Sequence, residues 1–121
     1  MERPASQAEH DRLVGVIAGT LVRRGEADVK AAAPGYHPPQ PIRWRGDARG
    51  HVPDVTARGL VIEVETADLI EDPPTAARWQ LTAGYADRID AAFIVVVPKG
   101  AEASAQRVLD ALRLDAQIIG A

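Results

Sequence analysis

Residues 51–66, His-Val-Pro-Asp-Val-Thr-Ala-Arg-Gly-Leu-Val-Ile-Glu-Val-Glu-Thr, constrain the fold more than any other stretch. Two runs of β-branched or alternating residues, 52–57 and 60–66, flank Arg58-Gly59. A two-residue turn there makes a β-hairpin. Ala57 then faces Leu60, Val55 faces Ile62 and Asp54 faces Glu63. Side chains alternate across a strand. Val55, Ala57, Leu60, Ile62 and Val64 therefore share an apolar face, and Asp54, Glu63 and Glu65 share the other. Carboxylates directly opposite each other repel. Either the acidic face is solvated, or a divalent cation sits between the acids. Mg²⁺ suits the second reading, because a hard cation takes oxygen ligands and often needs only one or two carboxylates. With 17 Asp and Glu in 121 residues, a loose acidic group is common. A trio on one face, backed by a continuous apolar face, is less so, and a metal site is the expectation carried forward.

The rest of the chain supplies layers to cover that hairpin. Ser6 to Arg24 has Leu13, Val14, Ile17, Ala18 and Leu21 at helical spacing. Ser6 and Glu9 are placed to form a capping box, and Gly25 ends the helix. His10 reads as a surface histidine. Glu26 to Ala32 reads as a first strand. Residues 33–50 hold four of the nine prolines and read as a surface loop, with Ile42 to Arg45 as a short strand inside it. Asp72-Pro73-Pro74 starts a helix over 73–86, with Trp79 as a core anchor. Ala91 to Val97 is a continuous apolar strand, buried on both faces. Ala101 to Arg113 is a last helix, and Gln117 to Ile119 a short edge strand. The order αβββαβα predicts an α/β fold, a mixed central sheet flanked by helices, in one domain over 1–121.

Composition narrows the function. The net charge of −3 argues against an indiscriminate nucleic-acid binder. The balance is local, since residues 41–60 hold Arg43, Arg45, Arg49 and Arg58 against Asp47 and Asp54, and 12 of the 14 basic residues are Arg. Arg43, Arg45 and Arg49 are candidate phosphate contacts, since a guanidinium grips phosphate through two bonds. Trp44 reads as a core residue, and Tyr36 as a candidate for stacking on a base. With no cysteine there are no disulfides or thiolate metal sites. No secretory signal or membrane span is read in the sequence, so a cytoplasmic protein is expected.

Pro53-Asp54, followed by an apolar strand ending Glu63-Val64-Glu65, resembles the signature of the PD-(D/E)XK nuclease superfamily, which includes restriction endonucleases and Holliday-junction resolvases. The order of elements resembles that family's core over nearly the whole chain. The resemblance implies a restriction-endonuclease-like core and a metal-dependent endonuclease using Mg²⁺ or Mn²⁺. It assigns the metal to Asp54, Glu63 and the Val64 carbonyl. Glu65 stands where the family usually has Lys, as in a few restriction enzymes, and would accept a proton or bind a second metal. Some of these nucleases also use an acid on the first helix and a Gln on the helix after the metal strand, which points to Glu9 and Gln80. The implied substrate is DNA, with RNA open. The small chain implies a homodimer or a partner protein. The alternative is a catalytically inactive nucleic-acid- or protein-binding module on the same fold.

Overall fold

A computed structural model describes residues 4–44 and 47–121, leaving out the side chains of 4, 5, 44 and 47–49. The first helix, α1, spans Pro4–Arg23. It ends because Gly25 takes φ 80°, which lets its amide bond Val22 and the Glu26 amide bond Leu21. Together these bonds satisfy the last carbonyls of the helix. Seven strands and two more helices follow among the described residues. They are β1 Lys30–Ala31, β2 Ile42–Trp44, β3 Asp47–His51, β4 Val55–Ala57, β5 Leu60–Val64, α2 Pro73–Arg88, β6 Ala92–Val97, α3 Glu102–Leu112 and β7 Gln117–Gly120. A single 3₁₀ turn, Ala67–Leu69, links β5 to α2.

The main sheet has the order β1-β4-β5-β6-β7, and β2 and β3 form a separate antiparallel pair. β1, β4 and β5 are antiparallel; β5, β6 and β7 are parallel. The hairpin pairs Val55 with Ile62 and Ala57 with Leu60, the pairing expected from a turn at Arg58-Gly59. Gly59, at φ 78°, supplies the left-handed residue of that turn. Parallel strands need crossovers, and α2 and α3 are those crossovers.

The sheet has a core on each face. On one, Leu13, Val14 and Ala18 of α1 pack against Val55, Ile62, Val64, Ile94 and Val96. On the other, Trp79 and Ala86 of α2 and Ala105 and Leu109 of α3 pack against Val61, Phe93, Val95 and Val97. β6 is thus buried on both sides, as its unbroken apolar run predicts. No described helix is long and apolar enough to cross a membrane.

Four expectations need correction. Ser6 is not a cap: α1 already runs through it from Pro4, because proline is tolerated in a first turn. The first strand is only Lys30–Ala31, since Asp28 takes φ 60° and breaks the extended run. The 33–50 segment holds not only the short strand expected at Ile42 to Arg45, seen as β2, but also β3, which pairs with it. The element order is therefore longer than αβββαβα by β2, β3 and β7, of which β2 and β7 were foreseen as short strands and β3 was not. Trp44's place in the core, and Arg45 altogether, lie outside the described residues.

Trp79 is 1 % exposed and anchors the second core. Trp79→Ala should cost about 3–5 kcal/mol. In urea unfolding the midpoint should fall with little change in slope.

Candidate functional site

β5 ends in a conflict between its two requirements. Its alternate residues Val61, Glu63 and Glu65 point towards α2, yet Glu63 and Glu65 are only 3 % and 2 % exposed. A buried carboxylate is costly unless it is hydrogen-bonded and paired. The surrounding elements supply the partners.

Glu63 Oε2 lies 2.7 Å from His51 Nε2 at the end of β3, and it accepts a 2.6 Å hydrogen bond from the Thr82 hydroxyl of α2. Glu65 Oε1 accepts from Arg78 Nη2 at 2.6 Å and from the Thr75 hydroxyl at 3.2 Å, both on α2. Its Oε2 accepts from the Thr66 amide at 3.0 Å. Asp54, just before β4, sits level with Glu63. Its Oδ2 accepts from the Val64 amide at 2.8 Å, and its Oδ1 lies 3.1 Å from His10 Nε2. The hairpin register, continued two steps past Val55–Ile62, sets Val64 opposite Pro53. Proline has no N–H, so Pro53 cannot donate to the Val64 carbonyl.

Charge crowding is visible in two groups. Hydrogen bonding to Asp54 raises the His10 imidazole from 6.5 to about 9; the Asp54 charge, Asp11 and Glu65 add to this against the effect of burial. Burial pushes Glu63 from 4.5 to about 7, and the Asp54 charge pushes the same way while His51 and Thr82 pull back. The repulsion expected across the hairpin is therefore present, and it is offset locally.

The hairpin register sets Asp54 level with Glu63, and Glu65 follows two residues along the same strand; Glu9 and Gln80 do not join them. His10 reaches Asp54, whereas no hydrogen bond or ion pair among the described residues joins its neighbour Glu9 to the acids. The reading of His10 as a surface histidine is corrected: its side chain is 14 % exposed. Gln80 is exposed, facing Asp87 and Arg113. It lies one residue, and so about 100° of helix, past the buried Trp79. Arg43 is exposed on β2; Arg49 lies on β3, and its side chain, like Arg45, lies outside the described residues.

Five contributors were missed. His10 continues the α1 stripe one turn before Leu13 and Val14. Thr75 and Thr82 share the buried row of Trp79 and Ala86. Those three were visible as periodicity; Arg78 and His51 had no such signal. Among the described residues, no group of three or more His, Asp or Glu side chains is disposed to hold a metal ion. As they stand, the carboxylates are tied to His10, His51 and Arg78. No protein-family model matches the chain, and neither a curated protein nor a solved structure gives a match.

Both raised values carry the same sign for stability. The folded protein binds these protons more tightly than the unfolded chain. His10 contributes fully below pH 6.5, and that contribution is lost as pH rises through about 9. Glu63 contributes fully below pH 4.5, and that is lost as pH rises through about 7. In metal-free melts, His10→Gln should flatten the upper part of the decline and Glu63→Gln the lower part. Parallel profiles for all three proteins would refute the assignment.

Proposed function

We propose that the chain is a metal-dependent nuclease that hydrolyses phosphodiester bonds at the end of β5, on a restriction-endonuclease-like core. One observation carries this reading: the hairpin register sets Asp54 level with Glu63 beside a Val64 carbonyl that Pro53 cannot satisfy. Asp54, Glu63 and that carbonyl are all oxygen donors, the set that Mg²⁺ or Mn²⁺ takes. A bound cation would supply Lewis acidity to the phosphoryl oxygen and lower the pKa of an attacking water.

The chain's own residues then have separate tasks. Glu65 is the candidate proton acceptor; Arg78, Thr75 and the Thr66 amide fix its orientation. Arg78 also brings a cation to the strand position where the related pattern carries Lys. His10 and His51 hold Asp54 and Glu63 in place while no cation does. Arg43, Arg45 and Arg49, on and between β2 and β3, are the proposed phosphate contacts. A duplex would extend beyond so small a chain, and a homodimer or a partner chain would complete the grip.

A second reading has its own support. Each carboxylate already has protein partners, as expected of an inert binding module on the same fold. Cleavage separates the two. Labelled single strands, duplexes, flaps and junctions should be cut with Mg²⁺ or Mn²⁺ and spared in EDTA. Asp54→Ala should abolish cutting. Glu65→Ala should lower the rate by about 10²–10⁴-fold, the worth of a general base, with DNA binding unchanged. Retention of the full rate would remove Glu65 from the mechanism.

Metal binding has a separate readout. Mg²⁺ at one hundred times its dissociation constant should stabilise the fold by about 2.7 kcal/mol. Glu63→Gln should lose most of the resulting rise in melting temperature. Equal shifts in both proteins, at matched ionic strength, would exclude Glu63 as a ligand.

A further inference from the structure

A second surface of α2 runs away from the acidic site. Ala77, Leu81, Tyr85 and Ile89 recur every four residues and so form one ridge, about 18 Å long at the rise of a helix. Near its start, Ala77, Arg78 and Leu81 enclose a cavity of about 310 Å³ with His51, the residue that also contacts Glu63. Near its end, Tyr85 and Ile89 line a second cavity of about 170 Å³ with Lys30, Thr56, Arg58 and Leu60. Leu81 and Tyr85 are one helical turn apart, so the ridge joins the two. β1 is an edge strand, so among the described residues no further strand of that sheet lies beyond the second cavity on that side, where Gln40 also lines it.

Cations mark both ends. Arg78 stands at the first. Lys30 and Arg58 stand at the second, and the Arg88 guanidinium lies 5.8 Å from the centre of the Tyr85 ring. Asp28 is the one carboxylate among the described lining residues of the second cavity. It pairs with Arg58 at 3.0 Å, and both side chains are exposed. Such a pair contributes little and opens readily. Lys30 is half-buried and has no ion pair among the described residues.

We propose that this ridge is a track for single-stranded nucleic acid leading into the acidic site. The proposal takes its chemistry from the nuclease reading; the binding it describes does not need cleavage. An aromatic side chain on an apolar ridge with cations at its ends suits an unpaired strand: a base stacks, and phosphates meet the cations. Paired bases hide their faces, so a duplex cannot use Tyr85 or Leu81 in this way. Both cavities lie at or below the lower end of small-ligand pockets, about 300–1,000 Å³. That is room for one base each.

The test is fluorescence anisotropy on the full chain in EDTA, where nothing is cut. The probes are labelled oligothymidylate and oligouridylate of about 12 nucleotides, and a DNA duplex of equal length. Single strands should bind at least about tenfold tighter than the duplex. Tyr85→Ala should weaken binding about fivefold or more, while Tyr85→Phe retains it. Lys30→Ala should lower the salt slope by about 0.7. Lys30→Glu, at an edge strand, carries the test if Tyr85→Ala folds poorly, and should also weaken binding. The Mg²⁺ melting shift should be the same in Lys30→Ala as in the unsubstituted protein. Duplex binding equal to or tighter than single-strand binding overturns the track, as does unchanged affinity in both Lys30→Glu and Tyr85→Ala. Single-strand binding with no cleavage by any metal overturns the nuclease reading and leaves the track in place.

Discussion

The hydrogen bond from the Val64 amide to Asp54 Oδ2 holds the site and the sheet together. The ladder stops short of Pro53, which has no N–H to donate to the Val64 carbonyl. The Val64 amide donates to the Asp54 carboxylate at 2.8 Å in place of a backbone carbonyl. One interaction thus closes the end of the hairpin and fixes Asp54 beside Glu63. A slip of one residue would reverse the faces of β5. Glu63 would then point into the packing of Leu13, Val14 and Val55 on the α1 side. The turn at Gly59 therefore decides where three negative charges go.

Those charges make the surrounding elements interdependent. Asp54 depends on α1 through His10, Glu63 on β3 and α2 through His51 and Thr82, and Glu65 on α2 through Arg78 and Thr75. A buried pair is weak evidence for stability, yet removing one partner is costly, because the other is left without compensation. The polar contacts at this end of the sheet thereby orient α1, β3 and α2 around one point, while the two apolar cores hold the layers together.

Much of this was legible from spacing. The Val55–Ile62 pairing follows from one turn dipeptide, and the buried β6 follows from seven apolar residues in a row, Ala91 to Val97. What escaped was tertiary. Ser6 looks like a cap, but capping chemistry cannot reveal that the helix already includes Pro4, two residues earlier. Glu26 to Ala32 alternates like a strand, but Asp28 adopts a left-handed conformation that pattern does not encode. Glu9 and Gln80 were placed by resemblance; helix rotation gives the reach to His10 and turns Gln80 outward. His51 and Arg78 have no periodic signature, because their contacts with Glu63 and Glu65 cross 12 and 13 residues.

On the metal reading, the same partners would set the terms on which a cation enters. In the metal-free protein His10, His51 and Arg78 already supply positive charge or hydrogen bonds to the acids. On that reading, a divalent ion would not fill a bare negative site. It would exchange with contacts that are already made, and its affinity would be the difference between two sets. Ligands must be deprotonated to bind a hard cation. Burial holds a proton on Glu63 up to about pH 7, and Asp54 holds one on His10 up to about 9. On the metal reading, cation binding at neutral pH releases protons and strengthens with rising pH, over the same range in which the metal-free fold weakens. On that reading, proton and cation would compete for the carboxylates that the hairpin register sets level, and the fold would be stabilised by whichever is bound.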